Sequence, residues 1–123
     1  MAWRCSSNSQ LGLVQNMKQW NIIRKDEVFK AMSTTDRKYY APTDPHEDGP
    51  QYIGFGATIS APHMHANALE FLLDQIMKEN SRILDVGSGS GYLQNGIKQM
   101  DIFVQNCLLS VGLFFDHFHI LMF

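Results

Sequence analysis

The stretch from Ser81 to Gln94, SRILDVGSGSGYLQ, constrains the fold more than any other segment. It places the apolar residues Ile83, Leu84 and Val86 directly before a turn in which three glycines alternate with serines. A short apolar run is typical of a strand buried in a parallel sheet, and glycines let the following backbone turn sharply and approach a ligand. Because ligands of open α/β sheets bind beyond the carboxyl ends of strands, we predict a binding site here.

The glycine spacing leaves the nature of that site open. Gly87, Gly89 and Gly91 follow a GxGxG pattern, whereas the dinucleotide-binding fingerprint is GxGxxG. Asp85, at the end of the predicted strand, can accept hydrogen bonds from a ligand or order the turn. The turn by itself is therefore compatible with a nucleotide-like cofactor or with a purely structural connection between strand and helix.

Helical periodicity precedes the strand. Residues 9–32 predict two short helices, with Asp26 in position to cap the second. Their expected core faces are Leu11, Val14 and Met17 in the first helix, and Val28, Phe29 and Met32 in the second. Residues 36–52 contain three of the four prolines, which predicts a long ordered loop.

A third helix is the most regular pattern in the chain. Ser60 is a predicted N-cap, and Pro62 lies in the first turn, where proline is favoured. The expected apolar face is Ala68, Leu69, Leu72, Leu73 and Ile76, continuing to about Lys78, with Glu70 and Asp74 on a solvated side. The order helix, strand, glycine turn and helix indicates the α/β class.

Composition excludes several classes of protein. The chain has 123 residues, 45% hydrophobic content and a net charge of -2, which fits one globular domain without a basic stripe for nucleic acid. Cys5 and Cys107 are predicted to be free thiols in a reducing compartment, and we expect a cytosolic location. His63 and His65 have no third ligand candidate, so we expect no metal.

Two adjacent motifs carry a resemblance to a known family. LDVGSGSG resembles the first motif of class I methyltransferases, and IGFGATISAPHMHANALE is similar to the preceding segment of protein-L-isoaspartate O-methyltransferases. MAW, IIRKDEVFKAM and TDRKYYA are also similar to that family, so the resemblance runs from Met1 to about Leu93. It implies the N-terminal part of a doubly wound, Rossmann-like α/β fold with preceding helices and an incomplete sheet.

The resemblance implies transfer of a methyl group from S-adenosyl-L-methionine to the free carboxylate of L-isoaspartyl and D-aspartyl residues, for protein repair. The partners would be isoaspartyl-containing proteins and peptides, without nucleic acid or membrane, and we expect a monomer. A carboxylate is already nucleophilic at neutral pH, so catalysis should depend on positioning groups. By resemblance, Ser60 is the catalytic hydroxyl, and the cofactor-binding residues are Ala57, Thr58, Ile59, Ser60, His65, Asp85, Gly87, Ser88, Gly89 and Gly91.

After Leu93 the sequence departs from the family, so we predict a methyltransferase segment at 1–93 and a divergent apolar tail at 94–123. An acidic residue that holds the cofactor ribose is expected about 20 residues beyond the glycine motif, but residues 105–111 contain none. Asp101 comes too early for this role and Asp116 too late. We therefore expect a truncated or alternatively spliced product, or a mistaken gene model, with weak or no activity.

The tail leaves alternatives open. Residues 102–123 are mostly apolar and carry one charged residue, Asp116. They could form strands or a helix that cover the exposed sheet, or a membrane-associated tail. An aspartate near a bilayer centre costs about 2.5–3.5 kcal/mol, which argues against spanning. A non-catalytic fragment that binds substrate or the full-length enzyme is the other function considered.

Overall fold

The computed structural model describes residues 2–79, 81–100 and 119–122, with the backbone alone at residues 2, 3 and 119–122. Two short 3₁₀ turns, Ala2–Cys5 and Arg37–Tyr39, accompany the main elements. These elements are α1 (Gln10–Gln19), α2 (Asp26–Thr34), β1 (Gln51–Gly54), β2 (Ala57–Ile59), α3 (Pro62–Ile76), β3 (Ile83–Val86), α4 (Tyr92–Lys98) and β4 (His119–Met122). The predicted order of helix, strand, glycine turn and helix is confirmed in α3, β3 and α4.

The strands form two separate pairs. β1 and β2 make an antiparallel hairpin, whereas β3 and β4 are parallel, with Ile83 opposite His119 and Val86 opposite Met122. The fold is thus an incomplete Rossmann-like α/β arrangement. β4 supplies the tail strand that was one of the expectations for residues 102–123.

The other expectations for the tail concern residues 101–118, which lie outside the described part of the chain, as do Asp101, Cys107 and Asp116. Among the helices that the structure describes, none is long and apolar enough to cross a membrane. The membrane-associated tail considered from the sequence lies outside these helices and stays a prediction.

The inward face of α1 is shifted from the predicted one. Leu11 is half exposed, whereas Gln10, Leu13, Val14 and Met17 are buried. Ser9 accepts a hydrogen bond from the Gly12 backbone and starts the helix one residue before Leu11, so the spacing i, i+3, i+4 and i+7 falls on the buried set. Val14 and Met17 are confirmed as core residues, and the prediction was wrong only at Leu11.

The second helix begins on a side chain from α3. Asp26 is the first helical residue and Lys25 occupies the N-cap position, so the predicted cap at Asp26 is wrong by one residue. The buried carboxylate of Glu70 accepts hydrogen bonds from the backbone N–H groups of Arg24 and Lys25, both at 2.8 Å. The prediction that Glu70 faces solvent is therefore wrong. Its carboxylate is buried because the start of α2 needs a hydrogen-bond acceptor that its own sequence lacks.

The third helix begins at Pro62, with Ala61 rather than Ser60 at the N-cap position. The carboxylate of Asp48 accepts a hydrogen bond from the His63 backbone N–H at 3.0 Å and so caps the first turn from the loop. The predicted Ser60 cap is wrong because the chain enters the helix one residue later. The helix ends at Ile76, close to the predicted end at Lys78.

One hydrophobic core joins the helices and β3. It contains Leu69, Leu73 and Ile76 from the predicted apolar face of α3, together with residues from α1, α2 and α4. The core members that hold β3 and α4 against α3 are Leu69, Leu73, Ile76, Ile83, Leu93 and Ile97. This packing places the glycine turn after β3 next to the start of α3.

Glu70 offers a test of the fold. We expect Glu70→Ala to lower the free energy of unfolding by about 1–2 kcal/mol, because two partly buried backbone N–H groups would lose their acceptor. Asp74→Ala is the matched control, since Asp74 lies one turn further along α3 and pairs with Lys25 at the surface. Urea unfolding would measure both variants, and equal small losses would contradict the buried capping role of Glu70.

Candidate functional site

A small cavity lies where the end of β2, the start of α3 and the glycine turn meet. Its volume is about 40 Å³. The cavity is lined by Thr58, Ile59, Ser60, His65, Asp85, Gly87, Ser88, Gly89, Ser90, Tyr92 and Leu93. Most of the predicted site residues are thus brought together, although residues 60 and 85 are far apart in the sequence.

Two of the predicted residues are outside the lining. Ala57 begins β2, directly before Thr58, and Gly91 occupies the N-cap position of α4. Their neighbours line the cavity, so both lie at its border. The functional roles assigned to all of these residues by resemblance stay predictions.

The glycine turn requires glycine for conformational reasons. The φ angles of Gly87, Gly89 and Gly91 are 82°, 51° and 78°, all in the left-handed region that other residues rarely adopt. A Cβ atom at Gly89 would lie 3.7 Å from the side chain of Ile53, which shows that the hairpin packs beside the turn. The turn can therefore present its backbone to a ligand at the carboxyl end of β3.

Ser60 is held at the cavity through its backbone. Its carbonyl oxygen accepts a hydrogen bond of 2.7 Å from the guanidinium of Arg37, which also donates to the carbonyl oxygen of Gly49 at 3.4 Å. Arg37 is completely buried, whereas Ser60 is partly exposed. The loop before the hairpin is thereby tied to the residue predicted to be catalytic.

The two histidines of α3 have different surroundings. The His63 ring nitrogen Nδ1 lies 2.8 Å from the Asp48 carboxylate, whereas the buried His65 ring packs edge-on against Tyr92, with ring centroids 5.0 Å apart. Burial, with further contributions from Arg37 and His63, lowers the pKa of His65 to about 3, so this imidazole is neutral at pH 7. In the described part of the chain, no group of three or more His, Cys, Asp or Glu residues could hold a metal.

Asp85 brings a carboxylate to the cavity. It is buried, and burial raises the pKa of its carboxyl above the usual range, while the neighbouring Gln94 side chain opposes the shift. A buried carboxylate can accept hydrogen bonds strongly once a donor reaches it. This is the chemistry that the sequence predicted for the end of the strand.

Sequence reasoning missed Tyr92 and Arg37. Tyr92 packs with Ala41 and Ile59 in a small apolar cluster beside the cavity, and burial raises the pKa of its hydroxyl. Its position as the first residue of α4, directly after the glycine turn, was the available signal. Arg37 gave no signal, because nothing in TDRKYYA shows that this cation is buried.

A strand, a glycine turn and a helix, with polar side chains gathered at the carboxyl end of the strand, define the α/β class that binds nucleotide-like cofactors. Within that class, residues 7–113 match the sequence model of the family described as protein-L-isoaspartate(D-aspartate) O-methyltransferase. The chain belongs to this family. The match continues beyond Leu93, where the resemblance was expected to stop, and the proposed boundary between 1–93 and 94–123 stays a prediction.

Individual relatives agree with the family assignment. The chain is 45% identical over 93 residues to the protein-L-isoaspartate O-methyltransferase of Caenorhabditis elegans, covering 76% of this chain and 41% of that protein. For the Triticum aestivum protein of the same name, identity is 49% over 83 residues, covering 66% and 36%. The chain therefore spans less than half the length of these curated relatives.

A solved structure is also similar. It is described as a protein-L-isoaspartate O-methyltransferase from Plasmodium falciparum in complex with S-adenosyl-L-homocysteine. The two chains share 44% sequence identity with a TM-score of 0.71, and the match covers 77% of this chain and 44% of that one. The methyltransferase fold predicted from the sequence is therefore confirmed for this part of the domain.

The raised pKa of Asp85 predicts a pH dependence of stability. A carboxyl with a raised pKa holds its proton in the folded chain after the unfolded chain has released it, so stability falls as pH rises from the ordinary carboxyl pKa to the raised one and then levels off. Asp85→Asn cannot ionise, and we expect its stability relative to the unchanged chain to increase as pH rises above about 4, the ordinary pKa of an aspartate.

Urea unfolding at several pH values would measure this difference. Asp74→Asn is a control of opposite sign, because the surface partner Lys25 lowers the pKa of Asp74 and its contribution is lost as pH falls. A pH-independent difference for Asp85→Asn would contradict the burial of an ionisable carboxyl in this cavity.

Proposed function

We propose that the cavity is the site of methyl transfer from S-adenosyl-L-methionine to the free carboxylate of L-isoaspartyl and D-aspartyl residues in damaged proteins, a step in protein repair. The observation that carries this proposal is that two sequence segments line one cavity: Thr58, Ile59, Ser60 and His65 from the first, and Asp85, Gly87, Ser88 and Gly89 from the second. The names of the relatives support the reaction, and the complex of the Plasmodium falciparum protein supports the cofactor.

Ser60 is the proposed catalytic residue. The acceptor carboxylate is ionised at neutral pH and needs no general base, so the site has to orient it rather than activate it. The Ser60 hydroxyl can donate a hydrogen bond to a carboxylate oxygen. His65, which is neutral at pH 7, can form a hydrogen bond without adding charge.

The described residues fit part of the cofactor. When bound, S-adenosyl-L-methionine supplies an electrophilic methyl group on a sulfonium. Gly87 and Gly89 allow close backbone approach, and the Asp85 carboxylate can accept hydrogen bonds from hydroxyl or ammonium groups. The cavity of about 40 Å³ is much smaller than the roughly 300 Å³ or more of a ligand pocket. These residues therefore supply only a portion of the binding surface.

We also propose that residues 1–123 alone transfer methyl groups slowly or not at all. The small cavity and the 41% coverage of the Caenorhabditis elegans relative support this. Binding without transfer would identify the non-catalytic fragment considered from the sequence. A cytosolic location is proposed with support from the thiol of Cys5, which forms no disulfide within the described part of the chain, and the monomeric state stays a prediction.

The first test is direct. The 123-residue chain would be incubated with labelled S-adenosyl-L-methionine and two peptides that differ only in an isoaspartyl or an aspartyl linkage. If either peptide is labelled, we expect it to be the isoaspartyl peptide, and we expect the label to be a base-labile ester. The rate should be far below that of the Caenorhabditis elegans relative assayed alongside. Equal labelling of both peptides, or a rate equal to that of the relative, would contradict the proposal.

A second test examines the site inside a complete domain. The matched 93 residues of the Caenorhabditis elegans relative would be replaced by the corresponding residues of this chain. We expect selective methylation by this chimaera, and a loss of about tenfold to a hundredfold with Ser60→Ala, because one hydrogen bond to the charged acceptor is removed. A folded chimaera without methyl transfer would refute the proposed activity of this site.

A further inference from the structure

Arg37 is a buried cation next to the cavity. Its side chain is completely buried, and burial lowers its pKa to about 10, so the guanidinium remains charged at pH 7. Nη2 donates to carbonyl oxygens, but Nε and Nη1 are buried without a hydrogen-bond partner among the described residues. A buried charge with unpaired donors is costly, which indicates a role beyond packing.

The guanidinium lies directly behind two residues of the cavity lining. It is bonded to the Ser60 carbonyl at 2.7 Å, and its central carbon lies 5.4 Å from the centroid of the Tyr92 ring. Arg37 does not line the cavity itself. Any effect on a ligand therefore acts through Ser60 and Tyr92, or through the electric field of the cation.

The carboxylate near Arg37 serves another face of α3. Asp48 interacts electrostatically with Arg37, but its Oδ1 binds the backbone N–H and the ring of His63. His63 and His65 are two residues apart, so their side chains point about 200° apart around the helix axis. Asp48 is thus placed on the side of His63, whereas His65 lines the cavity and is subject to the positive charge of Arg37.

We propose that Arg37 makes the Ser60 side of the cavity selective for an anion: its guanidinium positions Ser60 through the carbonyl oxygen, and its charge attracts the acceptor carboxylate. Asp85 lines the same cavity and its carboxylate repels another carboxylate, so we expect the acceptor beside Ser60 and away from Asp85. This inference rests on the proposed function and names the residue that selects a carboxylate substrate. Arg37 is a positioning residue and does not touch the reacting atoms.

The imidazole of His65 is a reporter of the field inside the cavity. Its ring signals would be followed by NMR as a function of pH in the 123-residue chain and in three variants, over the range in which circular dichroism shows a folded chain. Arg37→Gln removes the charge and Arg37→Lys keeps it. Lys38→Gln makes the same charge change one residue away, at an exposed side chain that pairs with Asp36.

We expect His65 to titrate about one pH unit higher in Arg37→Gln, because a nearby cation disfavours the protonated ring. Arg37→Lys and Lys38→Gln should titrate as the unchanged chain does. The inference is overturned if Arg37→Gln shifts His65 no more than Lys38→Gln does. It is also overturned if Arg37→Lys behaves like Arg37→Gln, since packing rather than charge would then be responsible.

A second measurement uses the unchanged chain and stays informative if Arg37→Gln fails to fold. Acetate would be titrated at constant ionic strength, with acetamide as the neutral isostere, while the amide signals of Ser60 and His65 are recorded. We expect saturable shifts with acetate and none with acetamide. No acetate-dependent shift, or equal shifts with both molecules, would overturn the anion site.

Neither measurement depends on methyl transfer. A titration change in His65 together with an inactive chimaera would retain the anion site and reject the transferase proposal. An active chimaera with an unchanged His65 titration would retain the transferase proposal and reject the role of Arg37. The two proposals can therefore fail separately.

Discussion

The buried guanidinium of Arg37 connects the parts of the molecule that form the cavity. It joins the loop at Gly49, the entry to α3 at Ser60 and the first residue of α4, Tyr92. The backbone N–H of Arg37 also donates a hydrogen bond to the side-chain oxygen of Gln10 in α1. Because a planar cation with several donors can satisfy carbonyl groups from separate segments, one side chain sets the relative position of elements that do not adjoin in sequence.

Buried side chains from distant segments also start two of the helices. Glu70 accepts from the backbone at Arg24 and Lys25, and Asp48 accepts from the backbone at His63. The first N–H groups of a helix have no partner within the helix, so an acceptor has to come from elsewhere when the local residue is not suitable. These contacts link α2 to α3 and the loop to α3.

The sequence predicted the elements better than their contacts. The third helix, the strand at Ile83–Val86 and the glycine turn followed from periodicity and glycine spacing, which are local properties. Leu11 was placed in the core and Glu70 on the surface, and both assignments were wrong. Periodicity defines which residues share a helix face, but the partner element decides which face is buried, and a polar residue on that face is indistinguishable from a solvated one until its bonding partner is known.

The same distinction applies to the candidate site. By itself, the sequence determined that a glycine turn follows a strand, and that an adjacent segment resembles the corresponding part of isoaspartyl methyltransferases. Only the tertiary structure brought Thr58, Ser60 and His65 to the cavity that also contains Asp85, and only it placed a buried cation behind Ser60. The physical reason is that backbone conformation at glycines depends on neighbouring atoms in the chain, whereas burial and charge depend on which distant segments pack together.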